Sequence, residues 1–250
     1  MTRAPILFVH GFPFDHTMWR HLVTSPAVIA RQYVAPDLPG AGGSPALAEA
    51  EYSMARYADD LVRALDARGV RQVVGCGLSM GGYILFELWR RHPERLVAMV
   101  LCSTKAEPDS AEGRRGRDEM AELARRHGAG AVADALIPRI LSPLTLAANA
   151  DVVREVRAMV ERWSVTGIVG ALRAMRGRSD SVPLLPSLRV PVLAIGGSDD
   201  AIAPRAQMEM MTRAIPGARF HAVPHAGHLS PLEQPRVVAA LLAEFLESLG

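Results

Sequence analysis

The pentapeptide Gly77-Leu78-Ser79-Met80-Gly81 has residue types and spacing suited to nucleophilic chemistry. It follows the apolar run Gln72-Val73-Val74-Gly75-Cys76, which reads as a buried strand, and it opens a helical stretch from Met80 to Arg91 that stops before Pro93. A strand-to-helix turn this tight drives its central residue into a strained backbone region, so the residues two places to either side must lack side chains. The Ser79 hydroxyl would then stand at the C-terminal edge of a sheet, above a helix N-terminus that favours developing negative charge. Without that context the same pentapeptide reads as a glycine-bearing turn in which serine caps a helix. The strand before it and the helix after it favour the nucleophile.

A serine hydroxyl is a poor nucleophile at neutral pH and needs a base that a third group holds in place. Residues able to fill those posts lie far downstream. Gly197-Ser198-Asp199-Asp200-Ala201-Ile202-Ala203-Pro204 follows a buried apolar run and offers two carboxylates, either of which could instead cap the helix ahead. His225-Ala226-Gly227-His228-Leu229-Ser230 precedes the last helix and offers two imidazoles. Residue types alone leave Asp199 beside Asp200, and His225 beside His228.

Alternating elements would have to bring these segments together. Short apolar runs at Ile6–Val9, Arg31–Ala35, Gln72–Cys76, Leu96–Leu101, Val190–Ile195 and Ala218–Val223 read as strands. Helical periodicity separates them at Ser53–Ala67, Met80–Arg91 and Pro204–Ala214, and Val237–Leu249 closes the chain. Strands alternating with helices predict an α/β fold: a mostly parallel sheet of about six strands with helices on both faces. Between residues 107 and 185 only helical signals occur, at Glu112–Arg126, Ala131–Leu141, Asp151–Trp163 and Val165–Met175. The expectation is a core of residues 1–106 and 186–250, interrupted by a helical cap over 107–185.

From about Pro5 to about Leu249 the chain resembles the α/β-hydrolase superfamily, whose strand–nucleophile–helix elbow the pentapeptide matches. The family order is serine, then acid, then histidine. The resemblance selects Asp200, three places after Gly197 and four before Pro204, and His228, which follows a glycine and precedes Glu233-Gln234-Pro235. It places the oxyanion-binding N–H groups on Phe12, in the loop His10-Gly11-Phe12-Pro13, and on Met80. His10 reads as a structural hydrogen-bonding residue beneath that loop. Asp37-Leu38-Pro39-Gly40-Ala41-Gly42-Gly43-Ser44 resembles the family's D-x-x-G-x-G-x-S loop and does not fit a dinucleotide fingerprint. Many relatives have two further strands before the first loop; here Ile6–Val9 is the first apolar run, so the expectation is either a six-stranded sheet or a start downstream of the natural one. Serine at the nucleophile position argues against relatives that use Asp there, dehalogenases and epoxide hydrolases, and against Cys-dependent dienelactone hydrolases. The resemblance is nearest to carboxylesterases and 3-oxoadipate enol-lactonase-like proteins. It implies cleavage of a small ester or lactone through an acyl-enzyme, with no metal or organic cofactor. Thioesterases and carbon–carbon hydrolases share the triad, and a ligand receptor on a hydrolase scaffold is the alternative from another class.

Trp163, among Met159, Ile168 and Met175, fits either cap packing or a substrate-binding roof over Ser79. Arg114, Arg115, Arg117, Arg125 and Arg126 alternate with acids and read as a solvated helix face. Cys76 and Cys102 lie in apolar runs and read as buried free thiols. With 49% hydrophobic and 22% charged residues, a net charge of +2 and 5% aromatics, the 250 residues suit a globular chain without a nucleic-acid or membrane partner. No signal peptide or membrane-spanning run is visible, so the expected location is the cytoplasm.

Overall fold

The continuous apolar runs become six parallel strands: β1 (Ile6–Val9), β2 (Tyr33–Val34), β3 (Val73–Leu78), β4 (Leu96–Cys102), β5 (Val192–Gly197) and β6 (Arg219–Val223). The computed structural model describes residues 3–250. The sheet order is β2-β1-β3-β4-β5-β6, with every neighbouring pair parallel. Every residue of β1, β3 and β5 is buried, the condition under which strands read as unbroken hydrophobic runs. β2 is two residues long where five were expected. It is an edge strand, Gln32 before it has φ 65°, and Pro36 soon after it has no N–H to add to a ladder.

Two single-turn helices, α1 (Arg20–Val23) and α2 (Pro26–Ile29), lie between β1 and β2. Helix α3 (Met54–Asp66) opens where Ser53 Oγ accepts the Arg56 N–H at 3.0 Å, and it buries the stripe Tyr57, Ala58, Leu61 and Leu65. Helix α4 (Met80–Arg91) follows β3 directly and is buried from Met80 to Leu88. Four helices then fill the interval between β4 and β5: α5 (Ala111–Ile140), α6 (Pro143–Ala148), α7 (Ala150–Glu161) and α8 (Val165–Arg176). The two helices expected at Glu112–Arg126 and Ala131–Leu141 both lie within α5 and meet at Gly128, whose φ of 76° and ψ of −176° are not helical. A residue with no Cβ adopts that backbone conformation readily and lets the axis change direction between the two helical halves. Helices α9 (Arg205–Arg213), α10 (Ser230–Glu233) and α11 (Pro235–Ser248) complete the chain.

The two ends of this helical insertion are clasped. Arg178 Nη1 lies 2.8 Å from Asp109 Oδ1 and Arg117 Nε 3.1 Å from Asp109 Oδ2, with Asp109 and Arg178 buried. Arg178 also donates to the Glu107 carbonyl at 2.8 Å and stacks its guanidinium 4.3 Å from the centre of the Tyr83 ring. The insertion touches the core again where Gly40 meets Gly167 of α8. A Cβ on Gly40 would stand 2.5 Å from the Gly167 Cα, so neither position can carry a side chain without moving the backbones apart. Cys76 and Cys102 are free and buried.

Candidate active site

Ser79 occupies the turn between β3 and α4 with φ 52° and ψ −110°. Holding a non-glycine residue in such a conformation costs on the order of 1–3 kcal/mol. The surroundings supply the restraint. The Ser79 N–H donates to the Cys102 carbonyl at 2.9 Å, and the Ser79 carbonyl accepts the Thr104 hydroxyl at 2.8 Å and the Gly82 N–H at 2.9 Å. Both flanking glycines are required by contact. A Cβ on Gly77 would lie 2.6 Å from the Gly81 backbone, and one on Gly81 would lie 2.1 Å from the Val9 carbonyl oxygen. β1, β3 and α4 therefore approach as closely as backbones can, with Ser79 at the point of approach.

His228 follows β6 and Asp200 follows β5, and the structure brings them together. His228 Nδ1 is 2.9 Å from Asp200 Oδ2 and 3.0 Å from Oδ1, and both side chains are buried. Asp200 Oδ1 also accepts the N–H groups of Ile202 at 2.8 Å and Ala203 at 3.0 Å. Burial raises the Asp200 pKa, but the neighbouring His228 ring, its hydrogen bond and the two backbone donors outweigh burial and hold the carboxyl below the usual range. An ionised Asp200 accepts from Nδ1–H and leaves Nε2 as the basic nitrogen. Asp199 is exposed and bonds to Ser198 Oγ at 2.9 Å, and His225 is also exposed, so neither alternative residue takes part in this pair.

The His228 loop is anchored by Glu233, which the sequence displays only as one letter of a motif. Glu233 is buried, and its carboxylate accepts four bonds. Oε1 takes the N–H groups of Gly227 at 2.9 Å and Leu229 at 3.2 Å; Oε2 takes the Ser142 N–H at 2.7 Å and the Thr145 hydroxyl at 2.8 Å. One carboxylate thus joins the loop carrying His228 to the start of α6. The His228 N–H adds a bond to the Ile140 carbonyl at 2.8 Å.

The loop after β1 is held from below and from the side. His10 is fully buried; its Nε2 accepts the Leu38 N–H at 2.9 Å, which places the proton on Nδ1, 2.9 Å from the Gly11 carbonyl. Burial pushes the His10 pKa down, so the ring is neutral and structural. Trp163 stands behind Phe12 and is not on the cavity wall. Its indole N–H donates to the Phe14 carbonyl at 2.7 Å, and its ring meets Phe12 edge-on at 5.5 Å. Its neighbour Arg162 pairs with buried Asp15 at 2.6 Å. Asp15, His16 and Asp37 gather in one place, yet each is already engaged: Asp15 with Arg162 and Thr17, and Asp37 with His16 and Gly43. Among the described residues the backbone N–H groups of Phe12 and Met80 bond to no protein acceptor, as expected of a first-turn helix donor such as Met80.

Ser79 and His228 line one cavity of about 820 Å³, with Phe12, Tyr83, Lys105 and Met175 also on its wall. Leu136, Ile140 and Leu172 of the insertion contribute apolar surface. Tyr83, Lys105 and Leu172 carry no motif, and only the packing of the insertion on the sheet places them there.

A family model for the α/β-hydrolase fold matches residues 4–235. The chain is similar to a thermophilic esterase from Thermogutta terrifontis described with malate bound, at 38% identity and a TM-score of 0.95, covering 99% of this chain and 91% of that one. It is similar to the enol-lactonase of Burkholderia xenovorans LB400 at 28% identity and a TM-score of 0.90, covering 98% and 92%. A 2-hydroxymuconate semialdehyde hydrolase of Pseudomonas sp. (strain CF600) is 28% identical over 270 residues, covering 97% of this chain and 86% of that protein. The strained serine elbow, the six-stranded parallel sheet and these likenesses agree: the chain belongs to the α/β-hydrolase family, in the company of esterases and enol-lactonases.

Proposed function

We propose that this protein is a serine hydrolase that opens a small carboxylic ester or lactone through an acyl-enzyme intermediate. The observation that carries the reading is the buried Asp200–His228 pair, whose His228 lines the same cavity as Ser79. His228 accepts the Ser79 proton as the oxygen attacks the substrate carbonyl, and Asp200 holds the imidazole tautomer and stabilises its cation. The Phe12 and Met80 N–H groups bind the oxyanion; donors of this kind are worth about 3 kcal/mol of barrier each. His228 then returns the proton to the leaving alcohol, and water activated by the same imidazole releases the acid. The cycle uses no metal or organic cofactor. Residues 107–185 act as a cap on the core of 1–106 and 186–250, and Trp163 positions the Phe12 loop against it. Ester or lactone chemistry is favoured over carbon–carbon cleavage because the esterase likeness is the nearer of those above, at 38% against 28% identity.

A fluorophosphonate probe, digested and localised by mass spectrometry, should label Ser79, and Ser79→Ala should abolish both labelling and hydrolysis of p-nitrophenyl butyrate. Wild-type hydrolysis by the Ala variant would overturn the assignment. A panel of esters, lactones and thioesters then separates fast turnover from the slow turnover of a receptor on the same scaffold. Among the described residues no helix is long and apolar enough to cross a membrane.

A further inference from the structure

The backbone that carries His228 is held by two different parts of the molecule. Ahead of the histidine the core holds it: the His225 N–H donates to Ser198 Oγ at 3.0 Å, and the Ala226 carbonyl accepts the Asp199 N–H at 2.9 Å. From Gly227 onward three consecutive N–H groups are taken, those of Gly227 and Leu229 by Glu233 Oε1 and that of His228 by the Ile140 carbonyl. Glu233 belongs to the same stretch of chain, so Oε1 alone folds the loop on itself without placing it. Placement comes through Oε2, which the insertion holds from Ser142 and Thr145. The hydroxyls there form a directed chain. The Thr145 hydroxyl donates to Glu233 Oε2 at 2.8 Å and accepts the Ser142 hydroxyl at 3.0 Å, while Ser142 Oγ accepts the Thr145 N–H at 3.1 Å. Ser142, Thr145 and Glu233 are all buried, so water offers no ready substitute for a lost partner. Gly227 packs on the same corner: a Cβ there would lie 2.7 Å from the Ser142 nitrogen and 2.8 Å from the Ile140 oxygen.

We infer that Thr145 is a positioning residue for the catalytic base: its hydroxyl, aimed by Ser142, fixes Glu233 and through it sets where the His228 imidazole stands against Ser79. The insertion thereby supplies one side of the scaffold that orients the base, as well as part of the cavity wall. Ile140 does both, since its carbonyl takes the His228 N–H and its side chain lines the cavity. The inference rests on the hydrolase reading above for its kinetic arm only. Thr145 is not on the cavity wall, so it acts on the chemical step and leaves substrate binding alone.

Thr145→Val keeps the shape of the side chain and removes the donor. On p-nitrophenyl butyrate it should lower kcat about tenfold while KM stays within about twofold, and Thr145→Ser, which restores the hydroxyl, should recover most of the loss. Thr212→Val is the control. It removes a threonine hydroxyl of similar burial on α9, one that donates to the Met208 carbonyl at 2.7 Å, and should leave kcat within about twofold. Independently of turnover, proton NMR of the wild type should show a far-downfield imidazole resonance, absent in His228→Ala, from the Nδ1–H that Asp200 holds. That resonance should shift or broaden in Thr145→Val and return in Thr145→Ser. If no ester turns over but the resonance depends on Thr145, the hydrolase reading fails and the positioning role stands. If Thr145→Val does not fold, Ser142→Ala takes its place; it keeps the backbone N–H on Oε2, removes the hydroxyl that aims Thr145, and should lower kcat about threefold. A wild-type kcat with an unmoved resonance in Thr145→Val overturns the inference, as does an equal loss of kcat in Thr212→Val.

Discussion

At Asp200 two backbone N–H groups and the His228 ring crowd one carboxylate, whereas Asp199 next to it faces solvent. Asp200→Asn should therefore lower kcat/KM on p-nitrophenyl butyrate by about 10³–10⁴-fold, because an amide stabilises the wrong imidazole tautomer, while Asp199→Asn should change it less than about twofold. Steady-state kinetics of the two variants side by side check this, and equal losses would sink it. Glu233 presents a different residue-scale problem. All four of its partners are donors, so a Gln amide would point its NH₂ at one pair of them. Glu233→Gln should destabilise by about 1–3 kcal/mol in urea unfolding and reduce kcat, since the same carboxylate steadies the His228 loop. Glu233 reads in sequence only as a motif letter, because its partners at Ser142 and Thr145 lie about ninety positions away in the chain.

At the scale of elements, the junction of β3 and α4 tolerates no added atom. Gly81→Ala would put a methyl group 2.1 Å from the Val9 carbonyl oxygen, so the strand or the helix must move. The expected result is loss of activity with destabilisation of at least about 3 kcal/mol. Gly116, exposed within α5, gives the contrast, since a Cβ there would meet nothing within 4 Å. Gly116→Ala should raise stability by about 0.5–1 kcal/mol through helix propensity. Chemical denaturation midpoints decide both, and a neutral Gly81→Ala would contradict the close approach. The break at Gly128 belongs to this scale too. A continuous helical pattern on both sides of a lone glycine is compatible with one helix or two, and the non-helical backbone at Gly128 divides α5 into two helical halves.

For the whole molecule, the clasp between Asp109 and Arg178 decides how firmly the helical insertion sits on the sheet. The pair is buried, so removing one member strands the other: Asp109→Ala should cost about 3 kcal/mol, and the double variant Asp109→Leu with Arg178→Met should recover much of the loss. Burial raises the Asp109 pKa, yet Arg117 and Arg178 outweigh it and hold the carboxyl below its ordinary value. A carboxyl depressed on folding contributes stability that is complete above its unfolded pKa of about 3.9 and is lost as pH falls through the lower folded value. Asp200 acts in the same direction. The unfolding temperature should therefore be nearly level from about pH 8 to pH 7, decline below about pH 6.5 as the unfolded chain protonates the His10 ring that burial keeps neutral, and drop further below about pH 4, with a smaller drop in that last range in Asp109→Asn. A level profile down to about pH 2 would contradict it.

The alternation of strands and helices was legible in the amino-acid order because a strand buried on both faces must be apolar throughout, and a helix packed on one side must be apolar in stripes. The Ser79 elbow was legible for a steric reason: only glycine fits where three backbones nearly touch. The resemblance to a known family, and not the local residue pattern, singled out Asp200 and His228 from their neighbours. Tertiary structure alone decided that Glu233 ties the His228 loop to α6, that Trp163 braces the Phe12 loop from behind, and that Lys105 reaches the cavity wall. Each of these depends on where segments separated by tens of residues come to rest, and periodicity describes an element's faces without saying what lies opposite them.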